Sequence, residues 1–218
     1  MSGSILVINP NSNNDVTQGI SDALDGFRFP EGPAIECLTL AEGPIGIESQ
    51  VDSDSVILPL VRLAQSRPDA AAIVIACYSD PGIDAVRSVA VCPVFGIQES
   101  GTLMAMARGD RFGVIALSDR SIARHLRYLA RMQVLPRLAA ERAADLTVAE
   151  TASEGDTYQT LRQAGQALVE TDGANVIILG CAGMARHRAA LEDSLGVPVI
   201  DPTQAAVAMA LGAVRSDA

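Results

Sequence analysis

The chain has 218 residues, 49% hydrophobic and 19% charged, so it holds enough apolar material for a buried core and does not have the composition of a disordered chain. Its 26 Asp and Glu outnumber its 16 basic residues for a net charge of −10, and every basic residue is an arginine. Without lysine, Schiff-base chemistry, a P-loop and a lysine aldolase are excluded; four Phe, three Tyr and no Trp on an acidic chain give nucleic acid no footprint.

Short β-branched runs alternate with helical segments along the chain. Strands are expected at 5–8, 35–40, 71–76, 94–96, 112–117, 146–149, 175–179 and 197–200. Several are apolar throughout, as strands buried on both faces of a parallel sheet must be. Helices are expected at 15–25, 54–66, 82–89, 120–132, 154–171, 183–194 and 203–215, most of them opened by a Ser, Asn, Asp or Thr suited to capping. Alternation of the two makes an α/β fold. No uncharged apolar run reaches the roughly 18 residues of a membrane span, and no basic segment followed by an apolar stretch opens the chain. Four cysteines in this length are no disulfide framework, so free thiols in the cytoplasm are expected.

The halves echo one another. AAIVIACYSDPG is followed by a Pro-led strand at 93, and ANVIILGCAGMA by another at 198; the two cysteines, Cys77 and Cys181, stand 104 residues apart. Each half reads as strand, helix, strand, helix, strand-Cys-helix, Pro-strand, which suggests two pseudo-symmetric α/β lobes.

Ligands bind at the carboxyl ends of parallel strands, and four stretches fall there: Asn9 to Ser12, Cys77 to Gly82, Ser118-Asp119 and Cys181 to Met184. Both cysteines stand between a buried strand and a helix start, a position expected to lower a thiol's pKa. A lone free cysteine usually only packs, as Cys37 and Cys92 are read here; the matched placement singles out Cys77 and Cys181. Asp80 and Asp119 read as helix N-caps. His125 and His187 read as solvated helix residues, and the arginine-rich stretch 120–137 as an outer helix carrying salt bridges.

INPNS at 8–12, ACYSDPG at 76–82 and LGCAGMA at 179–185 resemble the three motifs of the aspartate/glutamate/hydantoin racemase superfamily, closest to its hydantoin and allantoin racemase branch. The resemblance spans nearly the whole chain. It implies a cofactor-independent racemase with two flavodoxin-like lobes, each with a mainly parallel four-stranded sheet, and an active site in the cleft between them. It places the acid/base pair at Cys77 and Cys181 and requires no metal. The lobes are then expected at 1–98 plus 203–218 and at 99–202, the last helix returning to the first lobe, in a homo-oligomer. Asn9, Ser12, Tyr78, Ser79, Ser118, Ala182 and Gly183, with main-chain N–H groups at 78–80 and 182–184, are the expected substrate contacts.

The hydantoin branch usually carries Gly where this chain has Ser79. The amino-acid racemase branches follow their cysteines with Asn-Thr and with Thr-His or Thr-Glu, against Tyr-Ser and Ala-Gly here, and a decarboxylase branch keeps only the second cysteine. A neutral ureide ring is therefore the expected substrate, the more so because the motif loops contain no arginine. Three alternatives stay open: a racemase or isomerase of aspartate, glutamate or a small diacid, a non-catalytic binding protein, and a thiol redox protein.

Overall fold

The computed structural model describes residues 3–152 and 157–216. Four strands, β1 (Ile5–Asn9), β2 (Ile35–Thr39), β3 (Ala72–Ile75) and β4 (Val94–Gly96), form a parallel sheet in the order β2-β1-β3-β4. A second parallel sheet repeats the arrangement as β6-β5-β7-β8, with β5 (Phe112–Ala116), β6 (Leu138–Ala143), β7 (Val176–Leu179) and β8 (Val199–Ile200). The α/β class and the two-lobe plan thus stand as the sequence led one to expect.

Period-two packing explains the uninterrupted apolar strands. Ile5, Val7, Ala72 and Val74 face one buried cluster, while Leu6, Ile8, Ile73 and Ile75 face another on the opposite side of the sheet. A fully buried side chain of this size contributes about 1.5–3 kcal/mol relative to exposure, so neither face tolerates a polar alternation.

The helices connecting the first sheet are α1 (Asn14–Ala23), α2 (Gln50–Ser55), α3 (Ile57–Ser66) and α4 (Ile83–Arg87); α5 (Ile97–Arg108) leads to the second sheet. There the helices are α6 (Asp119–Arg131), α7 (Val148–Ala152), α8 (Tyr158–Glu170) and α9 (Arg188–Leu195), and α10 (Pro202–Ser216) follows β8. Asn13 caps α1 by accepting from the Asp15 N–H, and Ser49 and Asp52 form a capping box on α2. α10 packs on α5 and against β1, β3 and β4 of the first sheet.

Two expectations are corrected. The second edge strand is Leu138–Ala143, not 146–149, where α7 begins. LAAERA carries neither β-branched residues nor alternation, and its place in the sheet is held by pairing with β5 and by Glu141, whose carboxylate meets His125 of α6. α5 was not among the expected helices. Its sequence opens on Gly96 without a capping side chain of its own; the cap arrives from 18 residues upstream, as described below. The first residues of the helix expected at 154–171, up to 156, lie outside the described residues.

Candidate active site

Because all strands run the same way, the loops after β1, β3, β5 and β7 gather at the carboxyl edges of the two sheets. Cys77 and Cys181, one from each lobe, line one cavity of about 40 Å³. The wall also includes Asn11, Tyr78, Ser79, Ser121, Arg124 and His125, with Val16, Ile47, Leu117 and Val148 as its apolar part.

The Cys77 loop is pinned from both sides. The Cys77 carbonyl accepts from the N–H groups of Ser79 and Asp80 at 2.8 and 3.0 Å, and Asp80 takes a left-handed φ of 44°. The Asp80 carboxylate then accepts from the N–H groups of Gln98 and Glu99, both at 2.8 Å, and so caps α5. Asp80 is therefore a cap, as expected, but of a helix distant in sequence rather than of the one that follows it. A Cβ at Gly96 would lie 2.2 Å from that carboxyl, so only glycine fits there. Burial raises the Asp80 carboxyl to about 7, against the lowering effect of its two N–H donors.

Cys181 is the residue before a 3-10 turn over Ala182–His187, its carbonyl accepting from Met184 N–H at 3.1 Å. The Gly183 N–H points to the sulfur and the Thr151 Oγ1 lies 3.9 Å from it. Cys77 Sγ has the Ser79 Oγ at 3.4 Å. The expected lowering of the thiol pKa is reversed: burial pushes Cys77 up to about 12, with Cys181 and Asp80 adding to the rise and Ser79 and Arg124 opposing it. Burial also lifts Cys181, against the Gly183 N–H and the Thr151 hydroxyl. Desolvation outweighs the helix-start effect here.

Of the expected substrate contacts, Tyr78, Ser79 and Ala182 line the cavity. Asn9 does not: it lies beneath Asn11, donating Nδ2 to the Asn11 Oδ1 at 2.9 Å, and Asn13 N–H donates to that same oxygen. The Asn11 amide nitrogen is left without a partner, and Asn11 is the NPNS residue that reaches the cavity. Ser12 donates its N–H to the Pro44 carbonyl instead. Ser118 is the N-cap of α6 and faces a separate surface groove with Asp119 and Thr147; Asp119 is therefore the first residue inside the helix rather than its cap. Gly183 borders a different depression between α1 and the 3-10 turn, where a Cβ would stand 2.4 Å from Thr151 Oγ1. The N–H groups of Ser79, Asp80, Gly183 and Met184 are already engaged, which leaves those of Tyr78 and Ala182 as the main-chain donors beside the cysteines.

The reading of α6 as an outer, solvated helix is overturned on one face. Ser121, Arg124 and His125, at helical spacing, turn inward and line the cavity. His125 is 1% exposed, 2.8 Å from Glu141 Oε2, and stands edge-on to Tyr78 with ring centroids 4.9 Å apart. Arg124 is 8% exposed. A pattern of apolar residues at helical spacing could not reveal this face, because the groups it buries are polar. His187, by contrast, is half-buried and lies 2.9 Å from Thr157 Oγ1, away from the cavity lining. Cys37 and Cys92 are free, half-buried and packed against the core.

Ile47 and Glu48, between β2 and α2, reach across to the second lobe beside the cavity. Ile47 enters the lining, the Glu48 carbonyl accepts from Arg124 Nη1 at 3.2 Å, and Glu48 Oε1 accepts from Val148 N–H at 3.2 Å. Among the described residues no group of three or more His, Cys, Asp or Glu side chains is placed to hold a metal ion, and no helix is long and apolar enough to cross a membrane.

Two parallel-sheet lobes with a cysteine from each at a shared cleft define a class of α/β protein, and its family follows from the sequence. Residues 5–210 match the family described as Asp/Glu/Hydantoin racemase, and the chain belongs to that family. It is 37% identical over 213 residues to a hydantoin racemase of Paenarthrobacter aurescens, a match covering 94% of this chain and 89% of that one. Among solved structures it is similar to an allantoin racemase from Klebsiella pneumoniae, with a TM-score of 0.94 and 30% identity over 99% of this chain and 89% of that one. An allantoin racemase from Pseudomonas fluorescens gives a TM-score of 0.91 and 28% identity, covering 98% and 92%. The chain is thus an enzyme of a racemase family.

Proposed function

We propose that the protein racemises 5-monosubstituted hydantoins or a related ureide ring such as allantoin, with Cys77 and Cys181 as the two acid/base groups. The observation that carries this reading is the placement of one cysteine from each lobe in the lining of a single cavity; similarity to hydantoin and allantoin racemases supports the substrate class. The resemblance brings with it a homo-oligomeric, cytoplasmic setting.

The chemistry needs no electron sink beyond the substrate. The ring C5–H lies next to a carbonyl, so one cysteine as thiolate removes the proton and the C–H electron pair delocalises into that carbonyl as an enolate. The other cysteine, as thiol, returns a proton to the opposite face, and the enolate collapses to the enantiomer. The two sulfurs then hold exchanged protonation states, and the reverse direction uses them in reversed roles. Acid–base assistance of this kind contributes about 10²–10⁴-fold. Donors aimed at the developing oxyanion supply a further share; the Asn11 amide nitrogen and the N–H groups of Tyr78 and Ala182 are suitably unspent.

Proton–deuterium exchange at C5, followed by NMR in D₂O with optically pure hydantoins and allantoin, tests the proposal. Wild type should exchange and racemise the ring substrate, and Cys77→Ser and Cys181→Ser should each lower racemisation by at least about 10²-fold. Exchange with aspartate or glutamate alone would overturn the substrate class, and full racemisation by either folded variant would overturn the two-thiol mechanism.

A further inference from the structure

Arg124 is an arginine in need of an anion. The residue is 8% exposed, yet its hydrogen bonds run only from Nη1 to the main-chain carbonyls of Glu48 and Arg120, at 3.2 and 3.3 Å. Nε is buried with no partner, Nη2 makes no hydrogen bond, and no carboxylate among the described residues comes within ion-pair distance of it. The unused Nε–Nη2 edge is the side of a guanidinium that matches the two oxygens of a carboxylate. Asp52 acts on it only at longer range, with no hydrogen bond or ion pair between them, so an anion in direct contact would offset the desolvation of the guanidinium. Burial lifts both thiols, which disfavours the cysteines as that anion.

Position says where such an anion would come from. Arg124 and Ser79 line both the cysteine cavity and an adjoining, more open groove of about 220 Å³. Arg127 also lines that groove, and its Nη2 donates to the neutral Gln50 Oε1 at 2.6 Å. Arg131, by contrast, is neutralised by Asp84. No Asp or Glu belongs to the lining of either space. A substituent leaving a ring held between the cysteines past Ser79 therefore meets cations and no opposing carboxylate, on a chain whose net charge is −10.

Building on the racemase reading, we propose that Arg124 is a specificity-determining residue that binds a carboxylate on the ring's 5-substituent, so that the preferred substrates are anionic hydantoins with short acidic side chains. The absence of arginine from the motif loops pointed to an uncharged ligand; folding brings an arginine into the cavity from α6 instead.

The test compares 5-(carboxymethyl)hydantoin with its near-isosteric amide, 5-(carbamoylmethyl)hydantoin, in protecting Cys77 and Cys181 from iodoacetamide, with peptide mapping to separate them from Cys37 and Cys92. Wild type should need about tenfold less of the carboxylate than of the amide for half-protection, as expected for a charge-assisted bidentate contact. Arg124→Gln should bring that ratio close to one and Arg124→Lys should keep part of it, while Arg62→Gln, which removes an exposed charge paired with Glu42, should leave it as in wild type. Equal protection by the two compounds in wild type, or an unchanged ratio in Arg124→Gln, would overturn the inference. The wild-type comparison decides even where a variant fails to fold. C5–H exchange on the same compounds separates the two ideas: exchange without carboxylate preference sinks only the role of Arg124, whereas carboxylate protection without exchange on any hydantoin sinks the racemase reading.

Discussion

Each thiol stands between opposed influences. Ser79 and Arg124 favour a Cys77 thiolate, as the Gly183 N–H and Thr151 favour one at Cys181, but removal from water opposes both and prevails. Both thiols are thereby biased toward their protonated forms, and a two-base reaction has to draw its thiolate against that bias. If Cys77 is the base, kcat/KM for hydantoin racemisation should climb about tenfold per pH unit from neutrality to beyond the ordinary thiol value of 9.0; a plateau already reached at neutral pH would contradict this. Stability moves the opposite way with pH. Folded Cys77 keeps its proton to about 12 while the unfolded thiol releases it near 9, so its contribution is fully present below about 9 and is lost as pH rises toward 12. Cys77→Ser should flatten that alkaline decline in a thermal-melt series.

At the scale of elements, the link between α6 and β6 holds the inner wall in place. The His125–Glu141 pair joins a helix whose inward face is polar to a strand of low strand propensity, and its two side chains are only 2% and 1% exposed. Glu141→Ala should strand the imidazole and cost about 1–3 kcal/mol, read as a lower urea midpoint; an unchanged midpoint would show that the pair contributes little. The segment 41–49 belongs to the same scale. Ile47 enters the cavity lining and Glu48 accepts from both Arg124 and Val148, so this segment ties the first lobe to the second beside the cysteines.

Across the whole molecule the chain crosses between lobes more than once. We propose that 1–98 with 203–218 form one lobe and 99–202 the other, because α10 rests on β1, β3 and β4 and buries Ala206, Val207 and Ala210 completely. Native-state hydrogen exchange reads this directly: the amides of α10 should open with the free energy of β1 and β3, and matching β5 and β7 instead would reassign the helix to the second lobe.

How much of this was legible beforehand follows from where the information is stored. The apolar strands at 5–8, 71–76, 112–117 and 175–179, the caps, and the cysteines after matching strands are local signals, and together they determined the α/β class, the repeated lobe and the two sulfurs as candidates. α5 escaped because its cap is Asp80, and β6 because Glu141 answers to His125; both depend on partners remote in sequence. Asn9 and Asn11 were indistinguishable until folding set one beneath the other. Most of all, the polar face of α6 looks solvated to any reading based on hydrophobic spacing. Only the tertiary structure could decide that Arg124 and His125 are buried beside the cysteines, because burial of a charged group is set by what the rest of the chain packs around it.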